Sequence, residues 1–166
     1  EAKQLMSHSP VDVVIQLEAV SWRAQWPRHR SDIGKLMAVA CPLVRFPKGK
    51  PEGVMAIVLA DDKRLKGLNR QFRGKNKPTN VLSFPDDDEP FGGIALAFET
   101  IQREAKEQKK PFVNHAKHMI LHGFLHLLGF DHQSDREARL MERLETAILA
   151  ELAIPNPYEF KDKTRA

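Results

Sequence analysis

The chain has 166 residues, 42% of them hydrophobic, and 26 Lys plus Arg against 22 Asp plus Glu, the makeup of one globular domain able to bury a core without staples. Its single cysteine, Cys41, excludes an intramolecular disulfide and a multi-thiolate zinc site and points to a reducing compartment, so a cytoplasmic location is expected. No run approaches the ~18–20 apolar residues of a membrane-spanning helix, the N-terminal stretch lacks the apolar core of a signal peptide, and a net charge of +4 is mild as a total.

Val11 to Leu17, after Pro10, has the β-branched content of a strand. A Trp-bearing segment, Ser21 to Arg30, leads into a helix that Ser31 is placed to cap and Pro42 to end. Pro47 to Gly53 reads as a basic loop, and Val54 to Ala60, apolar throughout, as a buried strand. Asp61 is placed to cap a helix running to about Phe72, where Leu65, Leu68 and Phe72 share helical spacing; that spacing favours a core role for Phe72 over stacking on a base. From Asp61 to Lys77 seven basic residues meet two acidic ones, a local +5 that exceeds the whole chain's charge, and the acidic cluster Asp86 to Glu89 follows. Thr79 to Phe84 and Gly92 to Phe98 are further strands. Beyond Glu99 the pattern is helical, with a helix to about Lys109, a long one from Pro111 to Gly129, and a last one from Ser134 to about Leu152. Ser134 and Glu137 have capping-box spacing, and Leu140, Met141, Leu144, Ile148 and Leu152 form a core or partner face with no visible chemistry. Pro155 to Ala166 is expected to be a tail, poorly packed or docking. Without repeats or linkers, residues 1–166 read as one α+β domain with its strands mainly in the first half.

The long helix is the most informative element. His122 and His126 lie ~40° apart on one face, one turn above the other, so two imidazoles can reach one ion. Ile120, Leu121, Phe124, Leu125 and their neighbours cover the other directions, as in a helix surrounded by protein, where every ring nitrogen needs a partner. Gly129 suits the left-handed cap that stops a helix and lets the chain bring His132 back to the same point. The tripod His122, His126 and His132 leaves a fourth zinc position open, the pattern of catalytic rather than structural zinc. His118 as the third ligand would spread the set over three successive turns, ~11–12 Å, so it is expected to be an outer partner or a structural residue. His8, His29 and His115 are expected at the surface. Asp131 either orients a ligand imidazole or serves the turn, and Thr79 and Ser83 either donate to phosphate or pack within a strand.

The spacing is similar to that of the metzincin metalloproteases, but their general-base glutamate would fall on Gly123, which argues against a peptidase. His-Gly-Phe-Leu-His-Leu-Leu-Gly-Phe-Asp-His, His122 to His132, closely resembles the signature of the YbeY family of endoribonucleases. The resemblance extends to Leu68 through Arg73 and Lys77 through Pro85, covering roughly Val54 to His132. It implies an α+β domain with a small mixed four-stranded sheet against five to six helices, one of them a metzincin-like zinc helix. It also implies a zinc-dependent, single-strand-specific endoribonuclease acting in 16S rRNA 3′-end maturation and ribosome quality control. One Zn2+ per chain, and single-stranded RNA, ribosomal RNA precursor and the small ribosomal subunit as partners, follow from the same likeness. His122, His126 and His132 are then metal ligands and catalytic groups. Arg73, on which the family's arginine falls, stabilises charge developing on the phosphoryl oxygens. Arg70, Arg73, Lys75 and Lys77 contact the RNA backbone. No residue fills the general-base role. Two positions depart from the family's usual pattern, Asn80 and Gly93, and each removes a carboxylate. The alternative class is a ribosome-associated RNA-binding protein with a structural metal.

Overall fold

Strands β1 (Val11–Leu17), β2 (Gly53–Ala60), β3 (Val81–Phe84) and β4 (Gly93–Ala97) form one sheet in the order β1-β2-β4-β3. The pairs β1–β2 and β2–β4 are parallel and β3 runs antiparallel to β4, which makes the sheet mixed. Around it lie α1 (Ser21–Gln25), α2 (His29–Leu43), α3 (Asp62–Arg73), α4 (Phe98–Glu107), α5 (Phe112–Leu127) and α6 (Asp135–Glu151). The computed structural model describes residues 11–44, 53–74, 79–84, 91–131 and 133–159, and the side chain of Arg73 lies outside that description. Lys75, Lys77, His132, His8 and the acidic cluster 86–89 are likewise outside the described residues.

Alternation along the strands sorts the core into two layers. Met55, Ile57 and Leu59 of β2 and Ile94 and Leu96 of β4 join Ala116, Ile120, Phe124 and Leu125 of α5 in the main core. Their neighbours Val58, Ala60, Ala95 and Ala97 point to the opposite face, where they meet Leu65 and Leu68 of α3. Small residues on that face let α3 lie close. β2 is buried on both faces, which accounts for its unbroken apolar run. The basic helix α3 and the histidine helix α5 therefore sit on opposite faces of the sheet.

Both expected helix starts carry their caps: Asp61 accepts from the Arg64 amide at 2.8 Å, and the Ser134 hydroxyl accepts from the Glu137 amide at 3.2 Å. The N-termini of α3 and α4 also hold one another, because Asp62 accepts from the Thr100 amide at 3.0 Å and Glu99 from the Asp62 amide at 2.8 Å. α2 differs from its sequence reading. It starts at His29 rather than after Ser31, with Arg28 at the cap position making no side-chain cap bond, and it runs one residue past Pro42. Buried Trp26, whose indole donates to Asp32 at 2.8 Å, fixes the start by tertiary packing, and proline's φ is itself helical.

Two other expectations are corrected. His29 and His115 are buried, not at the surface; His29 donates to the Trp26 carbonyl at 3.0 Å and His115 meets Glu104 at 2.8 Å. Phe72 is 43% exposed instead of in the core, because the α3 positions that face the sheet are Leu65 and Leu68. The α6 face is a core face at Met141, Ile148 and Leu149, with Leu140 exposed, and of the two readings of the tail docking holds as far as Pro157 and Tyr158.

Candidate metal centre

α5 ends in a turn that its glycine makes possible. Gly129 has φ +100°, in the left-handed region, and the amides of Gly129 and Phe130 reach back to the carbonyls of His126 and Leu125, both at 3.0 Å. This is a Schellman cap. It swings the Phe130 carbonyl onto the side of the helix, where His126 Nδ1 donates to it at 3.0 Å. A carbonyl can only accept, so the neutral His126 ring carries its proton on Nδ1 and presents a lone pair at Nε2. His122 Nδ1 lies 2.7 Å from Glu145 Oε2, and a carboxylate there likewise draws the proton to Nδ1.

The two Nε2 atoms consequently face one another, 3.1 Å apart, with the rings at 83°. Two neutral rings so arranged repel unless a cation lies between them. Zinc–imidazole bonds of ~2.0–2.1 Å at a tetrahedral angle place nitrogen pairs about 3.3 Å apart, so His122 and His126 fit as two ligands of one divalent ion. Among the described residues no third His, Cys, Asp or Glu completes the set, and the expected third ligand, His132, lies outside them.

Behind the histidines lies a group that the sequence reading passed over. Glu145 of α6 is fully buried, 0% exposed, in the middle of an otherwise apolar face. Its carboxylate receives His122 on one oxygen and the Tyr158 hydroxyl on the other, with His118 Nε2 at 3.5 Å. Burial pushes the Glu145 carboxyl up, but the contacts with His118, His122 and Tyr158 outweigh it and bring the group down to about 2. Burial pushes His118 below its ordinary value against the pull of Glu145, and burial with the adjacent carboxylate pushes the Tyr158 phenol up. His118, His122 and the Tyr158 hydroxyl together surround the carboxylate and favour its ionised form. A lone acid four residues after Met141 and three before Ile148 was the available signal; Tyr158 offered none.

Gly123, beside His122, has no space for a side chain: a Cβ there would come within 2.9 Å of Ile94 Cγ2. The position of the metzincin glutamate is therefore closed by β4 itself, and the Gly123 carbonyl accepts from Ser83 at 2.9 Å, tying edge strand β3 to the histidine helix. Thr79 bonds within its own segment, to the Val81 carbonyl at 3.3 Å. Asp131 is half-buried beyond the Schellman turn. The two family departures also have physical reasons. Asn80 donates to Glu104 at 3.0 Å, where an aspartate would set two carboxylates together. Burial raises the Glu104 carboxyl, but His115, Asn80 and Arg103 outweigh it and hold it below its ordinary value. At Gly93 a Cβ would meet the Phe84 ring at 2.7 Å. That ring stacks on Phe72, centroids 5.5 Å apart.

On the opposite face, Lys63, Lys66 and Arg70 line an open groove of about 690 Å³ together with Glu18, Asp61 and Arg64. Arg64 is engaged with Glu18 at 3.2 Å. Arg70 is exposed, and Arg73 occupies the last turn of α3 before Gly74, whose φ of +67° closes the helix.

Fold and site together define an α+β protein whose central helix presents a cation-accommodating pair of imidazoles, buttressed by a buried carboxylate. Residues 16–153 match the family model described as endoribonuclease YbeY, and the chain belongs to that family. A relative from Paramagnetospirillum magneticum, endoribonuclease YbeY, is 43% identical over 89% of this chain and 96% of its own length. A second of the same name, from Bradyrhizobium sp. strain BTAi1, is 43% identical over 95% of this chain and 99% of its own. A solution structure of a Thermotoga maritima protein shares the fold, with a TM-score of 0.56 at 21% identity over 85% of this chain and 91% of that one.

Proposed function

We propose that the chain is a zinc-dependent endoribonuclease specific for single strands, acting in 16S rRNA 3′-end maturation and late ribosome quality control in the cytoplasm. Family membership supports the ribonuclease class. The observation that carries the metal is the convergence of His122 and His126 Nε2 at 3.1 Å, with both Nδ1 atoms committed elsewhere. One zinc ion per chain is held by these two and His132, and when bound it supplies Lewis acidity beside a phosphodiester.

The remaining work belongs to side chains. Lys63, Lys66 and Arg70 draw the RNA backbone to the outer face of α3, with Lys75 and Lys77 continuing the track. Because α3 and α5 lie on opposite faces, the strand reaches the histidines around the β3 edge, past the stacked Phe72 and Phe84, whose faces suit an unpaired base. Arg73, at the end of α3, neutralises charge on the scissile phosphate. The test is cleavage of single-stranded ribosomal RNA precursor by metal-quantified protein and by His126→Ala. The wild type is expected to cut and the variant to lose at least about 100-fold, the scale of losing one electrostatic stabiliser. Equal rates from two folded, RNA-binding proteins overturn the enzyme and leave an RNA-binding protein.

A further inference from the structure

After α6 the chain does not leave the molecule. Ala153 takes a positive φ of 60°, Ile154 is buried, and the chain turns back so that the Pro157 carbonyl accepts from Lys110 Nζ at 3.0 Å. Asn156 Oδ1 accepts from the Tyr158 amide at 2.8 Å, an Asx turn that sets the direction of the ring. The ring stands edge-on to His118, centroids 5.5 Å apart at 88°, and its hydroxyl donates to Glu145 Oε1. The stretch that matches the family model ends at Ala153, just before this segment.

We infer that Ile154 to Glu159 is a positioning element for the candidate metal centre: Tyr158 holds the Glu145 carboxylate, and Glu145 holds the His122 ring with Nε2 toward His126. Each link is a geometric constraint. His122 Nδ1 lies 2.7 Å from Glu145 Oε2, so the setting of that carboxylate bears on where the ring points. The carboxylate reaches His122 with Oε2, while Oε1 receives the Tyr158 hydroxyl, with His118 Nε2 3.5 Å from that oxygen and 3.3 Å from the hydroxyl; the hydroxyl is the shorter restraint on its rotation. A phenol suits this task because its ring packs rigidly on His118 while one polar atom reaches the buried acid. Tyr158 is a positioning residue and touches neither substrate nor ion. Orientation of an imidazole by a hydrogen-bonded chain of this kind governs metal affinity as strongly as many direct contacts. The consequence for zinc rests on the proposed metal centre; the orientation of His122 does not.

The test uses the full chain, metal-free, as wild type and Tyr158→Phe, a change that keeps the ring and removes one oxygen. Imidazole 15N shifts of His122 are expected to report a single Nδ1-protonated form in the wild type and an averaged one in the variant. Zinc affinity, measured by chelator competition, is expected to fall about 10-fold. Unchanged His122 nitrogen shifts in Tyr158→Phe overturn the inference whatever the zinc does. A wild type that binds no zinc, with His122 shifts that still respond to Tyr158→Phe, overturns the metal centre and upholds the positioning role. Tyr158 is the chain's single tyrosine, so a 13Cζ label gives one resonance in the intact protein. If the Phe variant does not fold, that resonance decides: it is expected to move in Glu145→Gln, and its failure to move overturns the link.

Discussion

At the residue scale the site turns on what each histidine's second nitrogen does. Gly129 was legible in the sequence because only a positive φ explains a glycine at that place in a helical pattern, and the cap it forms delivers the Phe130 carbonyl to His126. Glu145 was not legible in this way. Its chemistry arises from burial against residues 23 positions before and 13 after it, and no local pattern encodes that. Burying it has a pH signature whose sign follows from its lowered pKa. The ionised form is favoured by folding, so the stability it contributes is present above its unfolded value of 4.5 and is lost as pH falls toward about 2. Metal-free wild type is therefore expected to lose stability between pH 5 and pH 2.5 more steeply than Glu145→Gln, by an amount on the order of 2 kcal/mol across the window. Denaturant unfolding at a series of pH values measures this. Parallel curves for the two proteins would show that Glu145 is not held ionised.

At the scale of elements, α3 shows the limit of periodicity. Leu65 and Leu68 identified its buried face and Asp61 its start, both from sequence, yet Phe72 at the same spacing lies outside the core. The reason is that the helix outruns the small-residue face of the sheet; past Leu68 it meets Phe84 of the edge strand instead of Ala95 or Ala97. On the proposed reading its exposed side carries two kinds of contact to RNA, which salt separates. Arg70→Ala is expected to weaken binding of single-stranded RNA and to lower the salt slope by about 0.7, the value for one phosphate of a single strand. Phe72→Ala is expected to cost about 1–3 kcal/mol of binding with the slope unchanged, while Phe72→Tyr retains most of it. Titrations at several salt concentrations distinguish the two. A Phe72→Ala protein that binds as tightly as wild type removes the aromatic pair from the RNA path.

For the molecule as a whole, the strands and the main helices were readable one by one from short apolar runs, caps and breakers, whereas their assembly was not. Placing α3 and α5 on opposite faces depends on the sheet order β1-β2-β4-β3, which is set by pairing between distant segments. The charge run and the histidine pair are therefore neighbours only around an edge, and the centre itself joins α5, α6 and the segment after α6. A metal ion held by imidazoles that only the folded chain sets facing one another stabilises the native state to the extent that the unfolded chain binds it more weakly. Zinc at 100 times its dissociation constant is expected to add about 2.7 kcal/mol. In a domain of this size 1 kcal/mol moves the melting temperature by about 2–4 °C, so the expected rise is about 5–11 °C. Chelator should reverse the rise, and His126→Ala should abolish it while leaving the metal-free melting temperature close to its own starting value. A wild type whose melting temperature ignores stoichiometric and excess zinc alike would overturn the reading of the facing imidazoles of His122 and His126 as a zinc site.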